Sequence, residues 1–433
     1  MRKTPGLEQP PLSTVTTPRA RVDSSAAATG RAQLRPSRRM VWIARGIIVL
    51  VTVLLVFGLL EASLRLFGPI LPGNYTSGAY LVRHPIYGFF HVPDYEGWQH
   101  SSEYFVRVRF NQLGLRDPRT GYEKPPGTFR ILLLGDSFME AIQVEQHETT
   151  AAVLEQRLRA LRPDLNIEVI NAGVAGWSTG IEALYLDHDG YKFQPDLVLV
   201  GFFIGNDLHD NYYKLQLAGD DLDLAVKPYF GLGKDGMVVT RNPPPAPPPP
   251  TGLVPALRAC CQLWNIFETG VLNRFGNGQG NTPLWAAAPM EAHTRALYDA
   301  EPSGEWKEGW EITSQLFGRL KTRTDALGVP LATFVIPDSP QLSEDEWRGM
   351  VGGRRLSRGH LELTSPNQQL AAIAERHGLP LLDLLAVLQH ESGGDPRRFY
   401  FQTDQHWNRD AHALAARELE RFLVERGLVP SPR

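Results

Sequence analysis

The chain has 433 residues, enough for one large domain with appendages or for two domains. A formal net charge of −3 gives no electrostatic footprint for nucleic acid. Only two cysteines occur, Cys260 and Cys261, adjacent in sequence, which excludes a disulfide framework and a four-cysteine zinc site.

Residues 1–40 are rich in Pro, Ser, Thr and Ala and read as a disordered basic tail. Its cationic residues are Arg2, Lys3, Arg19, Arg21, Arg31, Arg35, Arg38 and Arg39, against Glu8 and Asp23 alone. An apolar stretch follows, unbroken from Gly46 to Leu60, with Trp42 and Arg45 at its basic end and Glu61 and Arg65 at its exit. A helix over 41–60 would be about 30 Å long, matching a hydrocarbon core. The stretch is apolar all round, unlike a core helix with a polar stripe. Its charged leader is too long for a cleaved signal peptide. The expectation is an uncleaved anchor over 41–67, with the basic side in the cytoplasm and all that follows beyond the cytoplasmic membrane.

Residues 68–127 carry β and turn signals. Tyr104–Phe110 alternates apolar and polar residues, as a half-buried strand does, and Asn111–Asp117 reads as a turn. This segment is expected to be a small β-rich prelude packed on the main domain.

From Thr128 onward strand and helix signals alternate. Arg130–Leu134, Ile167–Ile170, Leu197–Phe203, Leu331–Ile336 and, more weakly, Pro380–Leu384 are the candidate strands. Thr149–Leu161, Trp306–Ala326 and Arg409–Arg426 are helical, the last with Asn408 as N-cap and Gly427 just beyond its end. The alternation predicts a parallel sheet covered on both faces. Residues from about 210 to 302 interrupt it with the proline run Asn242–Pro250 and with the aromatics Trp264, Phe267 and Trp285. Two readings stand there, an insertion over the carboxyl edge of the sheet and a disordered excursion.

Reactive groups collect at the carboxyl ends of strands in such sheets. Gly135-Asp136-Ser137-Phe138 ends the first strand and offers Ser137 as a nucleophile; a simple turn of Gly, Asp and Ser is the competing reading. After the second strand comes Asn171-Ala172-Gly173-Val174-Ala175-Gly176, whose glycines let a bare N–H approach a ligand. After the third comes Gly205-Asn206-Asp207, where the Asn206 amide can donate to an oxyanion. Asp404-Gln405-His406-Trp407 precedes the last helix and offers His406 as base with Asp404 to orient it. His188, within Asp187-His188-Asp189 on a helical stretch, is the competing base.

These four blocks, in this order, resemble the SGNH hydrolases, also called the GDSL esterase/lipase family, over about residues 128–426. The resemblance implies a flavodoxin-like three-layer α/β/α sandwich with a parallel sheet, spanning 128–433 here. It implies Ser137 as nucleophile, His406 as base and Asp404 as its orienting acid. The oxyanion would be held by the Ser137 N–H, the Gly176 N–H and the Asn206 side chain, Gly176 fitting the second block better than Gly173. No metal or organic cofactor is implied. Two departures stand out: Ile204 occupies a position where the family usually has glycine, and Asp404 lies two residues before His406 instead of three. The shorter spacing resembles envelope proteins that acetylate or deacetylate polysaccharides. The Asn111-x-x-Gly114-x-Arg116-Asp117 turn is similar to that of membrane-anchored bacterial relatives.

The leading expectation is a membrane-anchored serine esterase acting on acyl or O-acetyl esters, of carbohydrate or lipid, outside the cytoplasmic membrane. An O-acyltransferase on the same machinery would need an envelope partner to deliver acyl groups. A non-catalytic envelope scaffold is the third reading.

Overall fold

The structure is a computed structural model that describes residues 37–67, 75–76, 80–119, 121–212, 214–215, 227–241, 257, 261–267, 296–352 and 361–430. The tail before residue 37, Cys260, Trp285 and the proline run lie outside the described residues.

Helix α1 (Arg38–Phe67) contains a stretch, Arg38–Leu64, that is long and apolar enough to cross a membrane. It is longer than the 41–60 core of the sequence reading. Its apolar side chains, among them Ile47, Leu54 and Leu59, are exposed. The Arg45 guanidinium lies 5.6 Å from the Trp42 ring centroid, a cation–π pair at the basic end.

In chain order, five short strands come after the helix and before the main sheet: β1 (Tyr75–Thr76), β2 (Leu81–His84), β3 (Gly88–His91), β4 (Glu96–His100) and β5 (Phe105–Arg109). β2 and β3 form a hairpin; β1, β4 and β5 form an antiparallel sheet in that order. The alternation over 104–110 has a clear structural outcome. Tyr104, Val106, Val108 and Phe110 point inward and pack with Ile142, while Phe105, Arg107 and Arg109 face out.

The main sheet is five-stranded and wholly parallel, in the order β12 (Leu381–Asp383), β11 (Leu331–Ile336), β8 (Leu197–Phe203), β6 (Thr128–Gly135), β7 (Asn166–Gly173). Each strand expected from the sequence is in it. Successive residues of β6 go to opposite faces: Leu132 and Leu134 join one core, Ile131 and Leu133 the other. Both faces being buried explains why these strands read as unbroken apolar runs. Each fully buried Leu or Ile contributes roughly 1.5–3 kcal/mol.

The first face is covered by α4 (Thr179–His188), α7 (Gly304–Leu327) and α9 (Ser365–His377). The second is covered by α3 (Thr150–Leu161), α10 (Leu385–Ser392) and α11 (Arg409–Glu425). Asn408 does cap α11, its side chain accepting from the Asp410 and Ala411 N–H groups at 2.9 and 3.2 Å. This is the α/β architecture of the SGNH fold. Two short helices, α2 (Ser137–Glu140) and α5 (Asp207–Asn211), start just past the ends of β6 and β8, after Asp136 and after Ile204-Gly205-Asn206. Within 210–302 the described parts are a hairpin of β9 (Tyr229–Leu232) and β10 (Val238–Arg241) and a short helix α6 (Gln262–Phe267).

Candidate active site

The order β8-β6-β7 puts β6 in the middle, so the loops after β7 and β8 flank the residue that follows β6. Asp136 follows the strand, and Ser137 comes next as the first residue of α2. Asp136 is the N-cap and its Oδ1 accepts from the Phe138 N–H at 2.9 Å. The Asp136 carbonyl takes the Met139 and Glu140 N–H groups. In this first turn the Ser137 N–H alone has no acceptor among the described residues, a donor at a helix start.

Ser137 and His406 lie 269 residues apart in sequence, yet the Ser137 hydroxyl is 2.8 Å from His406 Nε2. On the other side of the ring, Nδ1 is 2.6 Å from Asp404 Oδ1. An ionised carboxylate only accepts, so the Nδ1 proton donates to Asp404 and the Nε2 lone pair accepts from Ser137. The two-residue spacing is accommodated by Gln405, whose φ of 66° is left-handed. The chain turns back there: Gln405 N–H donates to the Phe401 carbonyl at 3.0 Å and Phe401 N–H to the His406 carbonyl at 2.9 Å. The fold therefore brings Asp404 to His406 despite the departure from the three-residue spacing.

Burial lowers the basicity of His406, but hydrogen bonding and charge from Asp404, with Asp136 adding to it, outweigh that and hold its pKa above the usual imidazole value. His188 sits elsewhere: it is exposed in the last turn of α4, which runs back from the carboxyl edge, so it lies toward the opposite edge of the sheet.

The flanking loops differ in how glycine is used. Gly173 ends β7, and a Cβ there would stand 2.3 Å from the Glu140 N and 2.4 Å from the Met139 carbonyl carbon. Its role is to let α2 lie against β7. Gly176 has φ +73° in the loop beyond, and its carbonyl accepts from Lys227 Nζ at 2.9 Å. Lys227 is buried and pairs with Asp210 at 3.1 Å. Burial raises the Asp210 carboxyl, yet Lys227 and His209 more than offset it and leave it below the usual range. Asn206 precedes α5 but its side chain makes no cap bond, and its buried Oδ1 has no partner among the described residues. Its amide is thus not committed to the helix. Ile204, at the position where the family usually has glycine, is fully buried in the core.

Several contacts around the serine were not legible in the sequence. Asn171 Nδ2 donates to the Met139 carbonyl at 2.8 Å, tying β7 to the last turn of α2. Arg116, from the turn singled out in the sequence, is buried and donates to the carbonyls of Glu140, Ala141 and Val144. Burial pushes its guanidinium down to about 10, against the opposing pull of Glu140. His91 Nε2 lies 2.6 Å from Glu140 Oε1, both side chains fully buried. Asp136 is raised to about 7 by burial, moderated by the Phe138 N–H and by His406. Glu182 and Asp207 are raised too, by burial first and then by Asp136. Among the described residues no group of three or more His, Cys, Asp or Glu is arranged to hold a metal ion.

The arrangement has two parts of an acyl-transfer site: a hydroxyl on a base and an acid on that base.

Residues 298–430 match the family model described as "SGNH hydrolase-like domain, acetyltransferase AlgX". That segment includes β11, β12, α11 and the Asp404–His406 turn, and this part of the chain is SGNH hydrolase-like. No curated protein matches the chain. Among solved structures, a two-domain esterase active on acetylated mannans is 12% identical with a TM-score of 0.35, over 71% of this chain and 51% of its own; the present chain thus spans about half its length. An α/β hydrolase from the metagenome of Lake Arreo, Spain, is 13% identical, TM-score 0.36, over 70% of this chain and 96% of its own. An acetylxylan esterase from Geobacillus stearothermophilus is 12% identical, TM-score 0.36, over 68% and 94%.

Proposed function

We propose that the protein is a membrane-anchored serine hydrolase that cleaves acyl esters, O-acetyl esters among them, outside the cytoplasmic membrane. One observation carries the reading: Ser137 Oγ, His406 Nε2, His406 Nδ1 and Asp404 Oδ1 form one chain of hydrogen bonds of 2.8 and 2.6 Å. His406 takes the Ser137 proton as the oxygen attacks the ester carbonyl, and Asp404 stabilises the imidazolium. The tetrahedral oxyanion faces the Ser137 N–H at the start of α2, the Gly176 N–H and the Asn206 amide. Collapse expels the alcohol, protonated by His406; water then repeats the sequence on the acyl-enzyme. The excess of basic residues before α1 favours a cytoplasmic N-terminus and a site on the far side.

A second reading keeps every step and replaces water by a sugar hydroxyl. The acetyltransferase description of the matched family supports it.

The test is labelling of the detergent-solubilised full chain with a fluorophosphonate probe. The native chain is expected to label and Ser137→Ala to remain blank. Equal labelling of both, or none of either, would sink the hydrolase reading. Mass analysis of products with and without an oligosaccharide acceptor separates hydrolysis from transfer.

A further inference from the structure

The β-rich segment ahead of the sheet reaches into the site just described. Tyr104 is buried, and its hydroxyl donates to Asp404 Oδ2, the oxygen that His406 does not use. Its neighbour Glu103 accepts from three consecutive backbone N–H groups, those of Gln402 (2.6 Å), Thr403 (2.9 Å) and Asp404 (3.1 Å). One carboxylate thus grips the turn that carries both Asp404 and His406, and one phenol fixes the Asp404 side chain. Phe401, at the head of that turn, packs on the Tyr104 ring at 5.1 Å between centroids. The inward phase of the alternating strand delivers Tyr104, and the residue before it supplies the cradle.

We propose that Glu103 and Tyr104 are positioning residues for the reaction: the prelude holds Asp404, and through it His406, in the geometry that activates Ser137. This rests on the serine-hydrolase reading above. The reasoning is one of competition for charge. A carboxylate with two oxygens shares its negative charge between two donors. The Tyr104 hydroxyl draws on Oδ2, which limits how strongly Oδ1 holds a proton on Nδ1 and keeps the carboxyl from rotating. The charged and titratable groups facing His406 are Asp404, Asp136 and, from α11, His412. Those around Tyr104 are Asp404, with Gln99 and Ser101 as hydrogen-bond partners and Tyr80 beside it.

Tyr104→Phe keeps the ring and its packing and removes only the hydroxyl. On the full chain with a chromogenic acetyl ester, kcat is expected to fall about 10–100-fold, the effect of losing a hydrogen bond to a buried charge. KM should stay within about twofold. The acidic limb of the kcat/KM profile should move up by roughly half a pH unit, because the unshared carboxylate holds the imidazolium more tightly. Glu103→Ala should lower kcat similarly, and Glu103→Gln, which still accepts through its amide oxygen, should recover most of it. Histidine C2-hydrogen exchange read by mass spectrometry follows the His406 pKa without any turnover. If Ser137→Ala hydrolyses the ester as fast as the native chain, the serine-hydrolase reading fails, while the exchange shift in Tyr104→Phe still judges the positioning. Native kcat in Tyr104→Phe and Glu103→Ala, with an unmoved limb and unmoved exchange, overturns the proposal.

Discussion

Replacing Gly173 by alanine tests whether the end of β7 sets the position of Ser137. The added Cβ would meet the Glu140 N at 2.3 Å, the Met139 carbonyl carbon at 2.4 Å and the Met139 Cβ at 2.6 Å, whereas ordinary contacts begin at 3.4 Å. Two of these atoms are backbone, so no side-chain rotation relieves the overlap; α2 has to move away from β7 by about 1 Å. α2 begins with Ser137, whose hydroxyl sits 2.8 Å from His406. A displacement of that size costs about 10²-fold in rate when the reacting groups lose alignment. The overpacking itself should cost about 1–3 kcal/mol of stability. For a domain of this size each kcal/mol is worth roughly 2–4 °C in melting temperature. The assay is kcat/KM on a chromogenic acetyl ester beside a thermal melt of the same preparation. Gly176→Ala is the comparison: its Cβ meets only Phe89 Cζ, at 3.4 Å, and its penalty comes from the left-handed φ, about 1–2 kcal/mol. A Gly173→Ala chain with native kcat/KM and native melting temperature would refute the close-packing account of this loop.

His406→Ala should reduce kcat by several orders of magnitude, with Asp404→Asn costing less, since base and nucleophile act as a unit. The base works neutral, and its pKa is held above the ordinary value, so the rate should climb as pH passes upward through a midpoint above about 6.5; an acidic limb centred below 6 in a constant-ionic-strength profile contradicts the assignment. Asn206→Ala should cost about 10²–10³ in kcat with little change in KM if its amide donates to the oxyanion, and a rate within threefold of native would remove it from that role.

Much of this site was legible because its blocks sit where the topology ends strands. Ser137, Gly176 and Asn206 each follow an apolar run, and period and composition locate such runs without knowledge of partners. His406 was legible because it stands beside a capped helix start. Tyr104 and Glu103 were not, since their partners are some 300 residues away and a strand's alternation says which side chains turn inward but not what they meet. The buried acids Asp136, Glu140 and Glu182 were also invisible: a charged residue in sequence reads as surface until a fold closes over it. The choice of Gly176 over Gly173 followed family spacing, and the separate structural task of Gly173 needed the backbone of α2 beside it.

The distance along the chain between serine and base has a consequence for how the protein is made. At roughly 5–20 residues per second, the ribosome releases Ser137 some 15–50 s before His406. During that interval β6, β8 and the prelude can assemble, but the hydroxyl has no imidazole and is an ordinary weak nucleophile. Glu103 and Tyr104 likewise wait for the Phe401–His406 turn. Any nascent or prematurely ended chain that stops before residue 406 carries the serine without its chemistry, so reactivity arrives only once the Phe401–His406 turn has been made.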